Sequence, residues 1–379
     1  LSEPAPLAVY VHWPYCARIC PYCDFNVVRD RGQLEQATLA QAIVRDLEGQ
    51  ARLMGPRRLA SIFLGGGTPS LMDPDWAAQI IAATRRLWPT DGPVEITLEA
   101  NPTDAETGRF AGFAAAGVQR LSLGVQSLDD AALKFLGRNH SAAEAKRAIA
   151  VAQTAFPRVS LDLIYALPDQ APEAWAAELR AAASLGVEHI SPYQLTIESG
   201  TAFDRLVRRG TFTPPDEERA AAVYDTTQAV LEAQGFDAYE VSNHARGAGA
   251  RSVHNLAYWR GWDYVGAGPG AHGRLTLDEG RVATHAEPKV ADYIARVGTD
   301  GAGFRSRETL SPREAAIERL LLGLRSVEGV GVTELAGVLA SDKAAQFADQ
   351  GLIRLDGDRL TTTMAGRAVL DRLTAELIV

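Results

Sequence analysis

Six short β-rich runs set what this chain can fold into. They lie at about 7–13, 59–64, 94–100, 118–125, 158–167 and 187–196. Each is followed by a loop or by apolar residues at helical spacing, at about 34–54, 75–88, 104–116, 129–136, 141–154 and 173–185. Strand and helix patterns alternating in this way are the sequence form of βα units on a parallel sheet. Six units fall short of the eight of a closed barrel. An α/β fold with a partial, open (β/α)6 barrel is therefore expected, with a doubly wound open sheet as the alternative. Either arrangement puts the ligand site at the carboxyl ends of the strands.

The loop after the first run carries Cys16, Cys20 and Cys23, the only cysteines in 379 residues. The spacing is Cys-x3-Cys-x2-Cys, with Tyr22 before the last. Three thiolates on one tight loop can hold three corners of an iron–sulfur cube and leave the fourth iron open. A zinc site completed by a nearby His or Asp, or three unrelated buried thiols, are the plainer readings. Three clustered cysteines are not a disulfide framework, and they point to a reducing compartment, hence cytoplasm. No signal peptide is read at the start, and no apolar run reaches the ~18 residues of a membrane span. With 38 Lys and Arg against 47 Asp and Glu, the balance is acidic. That argues against a general nucleic-acid binder.

The second run ends in Gly65-Gly66-Gly67-Thr68-Pro69. Glycines let backbone groups approach a ligand closely. The loop lacks the Lys-Ser/Thr ending of a phosphate-binding P-loop. Other polar residues stand at or near the strand ends: Glu99, Gln126, Arg138 and Asp162. An acid inside an apolar run such as Leu161-Asp162-Leu163-Ile164 is costly unless it meets a partner. Internal salt bridges or a ring of ligand contacts both satisfy that need.

A long helix is expected at 215–235, then a polar, Gly-rich stretch at about 242–273. The character changes near 305. Helices at 311–326, 333–340, 342–350 and 364–376 enclose a hairpin around Asp356-Gly357, which reads as a small winged-helix-like domain. The expected division is 1–304, a core carrying the 242–273 extension, and 305–379. The tail is not notably basic, so docking on the first domain fits as well as nucleic-acid binding.

Taken together, Tyr10-Val11-His12-Trp13-Pro14, the cysteine spacing, Gly-Gly-Gly-Thr-Pro, Leu123-Gly124-Val125-Gln126 and Leu161–Pro168 resemble the radical S-adenosylmethionine superfamily. Within it the chain resembles the group around the oxygen-independent coproporphyrinogen III oxidase. The resemblance covers most of the chain. It implies a [4Fe–4S] cluster on Cys16, Cys20 and Cys23, with S-adenosylmethionine on the open iron. Gly66, Gly67 and Thr68 would contact its methionine part. Tyr10, Tyr22, Glu99, Gln126, Arg138 and Asp162 would line the rest of the pocket. In such families cluster reduction cleaves the sulfonium to a 5′-deoxyadenosyl radical.

Two departures bear on function. The oxidase has a fourth cysteine two places after the third, where this chain has Phe25, and a longer segment before its first strand. Both point to a heme-chaperone branch of the same group. His254-Asn255-x-x-Tyr258-Trp259 agrees, since imidazole is a common heme ligand and aromatics pack on a porphyrin. His254 is the expected ligand, and Asn255, Tyr258 and Trp259 its neighbours. His244 and His272 are weaker candidates, and His272 has a second possible role at the adenosine end of S-adenosylmethionine. The expected activity is heme binding and delivery to respiratory hemoproteins, with a possible homodimer and peripheral membrane contact and no nucleic acid. A porphyrin-directed radical enzyme, oxidase or heme methyltransferase, is the alternative.

Overall fold

A computed structural model describes residues 4–30 and 32–379. Twelve strands form one sheet. Six follow the expected βα rhythm: β1 Pro6–Trp13, β2 Arg58–Gly66, β3 Glu95–Ala100, β4 Arg120–Gln126, β5 Arg158–Tyr165 and β6 His189–Gln194. All five neighbouring pairs among them are parallel. The remaining strands are β7 Asp237–Ala238, β8 His244–Ala245, β9 Asp263–Ala267, β10 His272–Leu277, β11 Gly280–Ala286 and β12 Phe304–Thr309. The order is β12-β11-β10-β9-β1-β2-β3-β4-β5-β6-β8-β7. The partial barrel is thus present, and β9 adds a seventh parallel strand beside β1.

Alternation along the strands explains both layers. Leu7, Val9, Val11 and Trp13 on β1, with Ile62, Leu64, Ile96, Leu98, Leu121, Leu123, Leu161 and Leu163, belong to one buried apolar core. Residues between them are polar: Ser61, Thr97, Arg120, Ser122, Ser160 and His189 are buried there. Period-two alternation puts these on the opposite face of each strand. The helices Gln33–Leu53, Pro74–Leu87, Ala142–Ala155 and Pro172–Ala183 supply the apolar layer. Trp175 is fully buried, and its Nε1 donates to Thr227 Oγ1 at 2.8 Å, joining Pro172–Ala183 to Glu217–Ala233.

The expected helix at 104–116 is two pieces, Asp104–Thr107 and Phe110–Ala115, with the break at Gly108-Arg109. In the polar stretch 242–273, Val253–Trp259 is a helix, and β9 follows it. A second core gathers Leu320, Leu324, Val330, Leu335, Phe347, Ile353, Leu360 and Leu373. It lies on Pro312–Gly323, Ser341–Asp349, the hairpin Ile353–Asp356 with Arg359–Thr362, and Leu370–Glu376. Only one 3-10 turn, Val332–Leu335, stands where a helix at 333–340 was expected. The expected boundary at 305 falls inside β12, which pairs with β11 in the large sheet.

At Gly266, β9 packs against its neighbour with no side-chain room. A Cβ on Gly266 would fall on the backbone of His272. Gly266→Ala should cost about 1–3 kcal/mol of stability, as overpacked sites do. A urea midpoint equal to that of the parent would refute this reading of β9.

Candidate functional site

The carboxyl ends of β1 to β6 open into one cavity of about 350 Å³. Cys16, Cys20 and Cys23 line it, together with Tyr22, Gly66, Gly67, Thr68, Glu99, Gln126, Arg138 and Asp162. Of the residues expected there, only Tyr10 is elsewhere. Its hydroxyl lies 3.0 Å from Nδ1 of His12, and it lines a second cavity. Asn101, Ser122, Tyr193 and Gln194 also line the first cavity and carry no motif. Their signal was position alone: Asn101 just past β3, Ser122 inside β4, and Tyr193 and Gln194 at the end of β6.

The glycine loop is forced by its neighbours as well as by any ligand. Gly66 has φ 110°, and a Cβ on Gly67 would come within 2.7–2.8 Å of the Pro14 and Tyr15 backbone. Gly67 N–H donates to Trp13 O at 2.8 Å, and Thr68 N–H to Tyr15 O at 2.9 Å. These bonds press the loop against the start of the cysteine loop. Thr68 Oγ1 donates to Cys16 Sγ at 3.6 Å. Gly66 N–H donates to Glu99 Oε2 at 3.0 Å.

The electrostatics fit an anionic cluster. Arg138 Nη1 donates to Cys20 Sγ at 3.3 Å, and its Nη2 to Gly124 O at 3.0 Å and to Asn101 Oδ1. Its Nε is buried without a partner. Burial pushes the Cys16 thiol up and that of Cys23 to about 11. Thiolates at this site therefore need added positive charge, which iron supplies. Among the described residues no three metal-binding side chains close on a single ion. Thiolates on a cube bind separate irons.

Two buried carboxyls, Glu99 and Asp162, line this cavity. Burial first, then the charge of Asp162, pushes Glu99 up to about 8. Burial pushes Asp162 up to about 6, opposed by Arg120 and by Ser122, whose Oγ is 3.1 Å from each Asp162 oxygen. Gln126 takes φ 67°, a left-handed conformation unusual outside glycine.

The histidine motif lies at the other end of the barrel. His254 is 2% exposed. Its Nδ1 is 2.9 Å from Ser61 Oγ and its Nε2 2.9 Å from Tyr258 Oη. It stacks on Phe63 at 4.8 Å. Burial and Arg120 lower it to about 3, so the ring is neutral with both nitrogens engaged. Asn255 N–H donates to Ser252 Oγ. Trp259 packs under Arg325 at 5.2 Å. Of the four, Tyr258 lines the second cavity. His244 is buried against Gln228, and His272 is exposed on β10.

Left-handed backbone costs a residue with a Cβ about 1–2 kcal/mol. Gln126→Gly should therefore unfold at the same or higher denaturant concentration, and Gln126→Val should lose at least about 1 kcal/mol, since a β-branched residue tolerates φ > 0 worst. A Val variant as stable as the parent contradicts the strain.

A model of the radical SAM superfamily matches residues 10–210, and one of the HemN C-terminal domain matches 310–369. Radical S-adenosyl methionine domain-containing protein 1, mitochondrial, of Bos taurus is 42% identical, over 100% of this chain and 89% of that protein. Heme chaperone HemW of Escherichia coli is 40% identical over 97% of each chain. HemW of Mycobacterium tuberculosis is 36% identical over 98% of this chain and 95% of that protein. In fold, the chain matches the E. coli coproporphyrinogen III oxidase HemN with a TM-score of 0.81 at 21% identity, over 98% of this chain and 90% of that one. With more than half its length matched by the superfamily model and HemW matched almost end to end, the chain belongs to the radical SAM superfamily and, within it, to the HemN-like group.

Proposed function

We propose that this protein is a heme chaperone that carries heme and a [4Fe–4S] cluster, binds S-adenosylmethionine at that cluster, and delivers heme to respiratory hemoproteins. The end-to-end similarity to HemW at 40% identity is the observation that carries the reading. The expected cytoplasmic location is part of it, although the animal relatives are mitochondrial by name.

The residues at the mouth have separate tasks. Cys16, Cys20 and Cys23 would hold the cluster. Arg138 balances thiolate charge beside Cys20. Gly66, Gly67 and Thr68 offer a backbone edge, and Glu99, Gln126 and Asp162 offer polar contacts to a cationic amino acid moiety. Bound there, the cluster and S-adenosylmethionine would supply one-electron chemistry. The completeness of this polar ring favours a second reading, a radical enzyme acting on a porphyrin. Phe25 in place of a fourth cysteine favours the chaperone.

One experiment separates the two. The cluster is reconstituted anaerobically, S-adenosylmethionine is added with coproporphyrinogen III or heme, and products are analysed. Intact bound heme supports the chaperone. Protoporphyrinogen or an alkylated heme overturns it.

A pH dependence follows from Glu99. Below about 8 its carboxyl holds a proton and is neutral; losing that proton puts a negative charge beside a cationic ligand. Affinity for S-adenosylmethionine should rise with pH through this range, by up to roughly tenfold per unit if proton loss is obligatory. Glu99→Gln should flatten the profile. Calorimetric titrations between pH 6 and 9 that show equal slopes for both proteins would remove Glu99 from the ligand.

A further inference from the structure

Two of the three cysteines are met by side-chain donors from separate loops, and one residue joins those donors. Thr68 Oγ1 lies 3.6 Å from Cys16 Sγ, and Arg138 Nη1 lies 3.3 Å from Cys20 Sγ. Asn101, just past β3, bonds to both donors. Its Nδ2 donates to Thr68 Oγ1 at 3.2 Å, and its Oδ1 accepts from Arg138 Nη2. Asn101 lines the first cavity beside the cysteines.

The direction of these bonds is dictated from one end. A guanidinium has five donors and no acceptor. Arg138 therefore turns the oxygen of the Asn101 amide toward itself, which leaves the amide nitrogen facing Thr68. A hydroxyl that accepts from that nitrogen keeps its own proton free, and Cys16 Sγ is within reach of it. Through one planar amide, a buried cation thus sets the rotor of a hydroxyl. The amide is itself held. Asn101 N–H donates to Glu106 Oε2 at 2.6 Å, and the same carboxyl takes Ser70 Oγ and Thr103 Oγ1. Ser70 lies in the Pro69–Leu71 turn that continues the glycine loop. Glu106 is 3% exposed, so this anchor is inside the protein.

Hydrogen bonds to the sulfurs are among the levers that set the potential of an iron–sulfur cluster. A donor aimed at a thiolate sulfur stabilises the added negative charge of the reduced state. We propose that Asn101 is a positioning residue for the cluster: it holds Arg138 and Thr68 as donors to Cys20 and Cys16, and so raises the potential at which the cluster takes up an electron. The inference rests on the [4Fe–4S] reading given above. Asparagine meets the need because it presents an acceptor on one edge and a donor on the other. An aspartate would fit the same space and offer acceptors only. Thr68 would then donate to that carboxylate, and Cys16 Sγ would lose its donor.

The test uses the full chain with its cluster reconstituted anaerobically and no S-adenosylmethionine. The midpoint potential is read by redox titration followed by electron paramagnetic resonance. Asn101→Asp should shift the reduction equilibrium about tenfold toward the oxidised cluster, a fall of about 59 mV for one electron. Asn101→Leu should shift it the same way by less, since it adds no charge beside Arg138. Thr68→Val should lower the midpoint of the parent and add little in the Asn101→Asp background, as residues that act through one another do. The midpoint belongs to the loaded fraction, so a residue needed only for folding or loading would leave it unmoved. A parental midpoint in Asn101→Asp or in Asn101→Leu overturns the role. So does a Thr68→Val shift of equal size in both backgrounds. A parent that assembles no [4Fe–4S] cluster overturns instead the reading on which the inference rests.

Discussion

The Glu95 carboxylate, buried at the start of β3, holds the closed end of the barrel together. It accepts from Arg158 Nη1 at 2.6 Å, from the His254 backbone N–H at 3.1 Å and from Ser252 Oγ at 3.5 Å. A negative group at the start of a helix is favourable because the first N–H groups lack intrahelical partners. The helix Val253–Trp259 is thereby fixed under the strands, with His254 turned inward against Ser61 and Phe63. An open barrel with polar inner faces has to satisfy Ser61, Arg120, Ser160 and His189 without water. His189 does so between Ser160 and Tyr239, at 2.7 and 2.8 Å. Removing Glu95 would leave Arg158 with Glu188 as its ion-pair partner and the His254 backbone N–H without its acceptor.

The six barrel strands were legible because each is an apolar run bounded by turn residues. The thiol site was legible because soft ligands clustered within eight positions have few uses. β9 was not, because Asp263–Ala267 is five residues in a glycine-rich stretch and owes its place to pairing with β1, more than 250 residues earlier. His254 illustrates the same limit for a site. A histidine beside aromatics reads as a ligand, and the partner that engages it, Ser61, is 193 residues away. Tyr10 was expected at the mouth with its strand neighbours. Its hydroxyl reaches His12 instead, which takes the side chain to the second cavity.

The two mouths are kept distinct by a short segment after the third cysteine. Asn26 Nδ2 donates to Pro269 O and to Pro288 O, each at 2.8 Å. His12 Nε2 lies 2.9 Å from Asn26 O. A Cβ on Gly270 would collide with the Asn26 side chain. Phe25 is therefore presented by an anchored neighbour rather than by a free loop, and the same anchor serves both cavities.

The C-terminal module grips the far side of the helix that closes the barrel. Arg260 pairs with Glu328 through two bonds of 2.7 Å, and Arg319 Nη1 donates to Trp259 O at 3.0 Å. Glu240 bridges to Ser326 on the same side. The helix is thus clamped at one end by Glu95 from the barrel and at the other by Arg319 and Glu328 of the C-terminal module. The helix is held by polar contacts on both sides, and Tyr258 is the part of it that shows in the second cavity. A displacement of the C-terminal module would therefore act on that wall through Arg260 and Arg319.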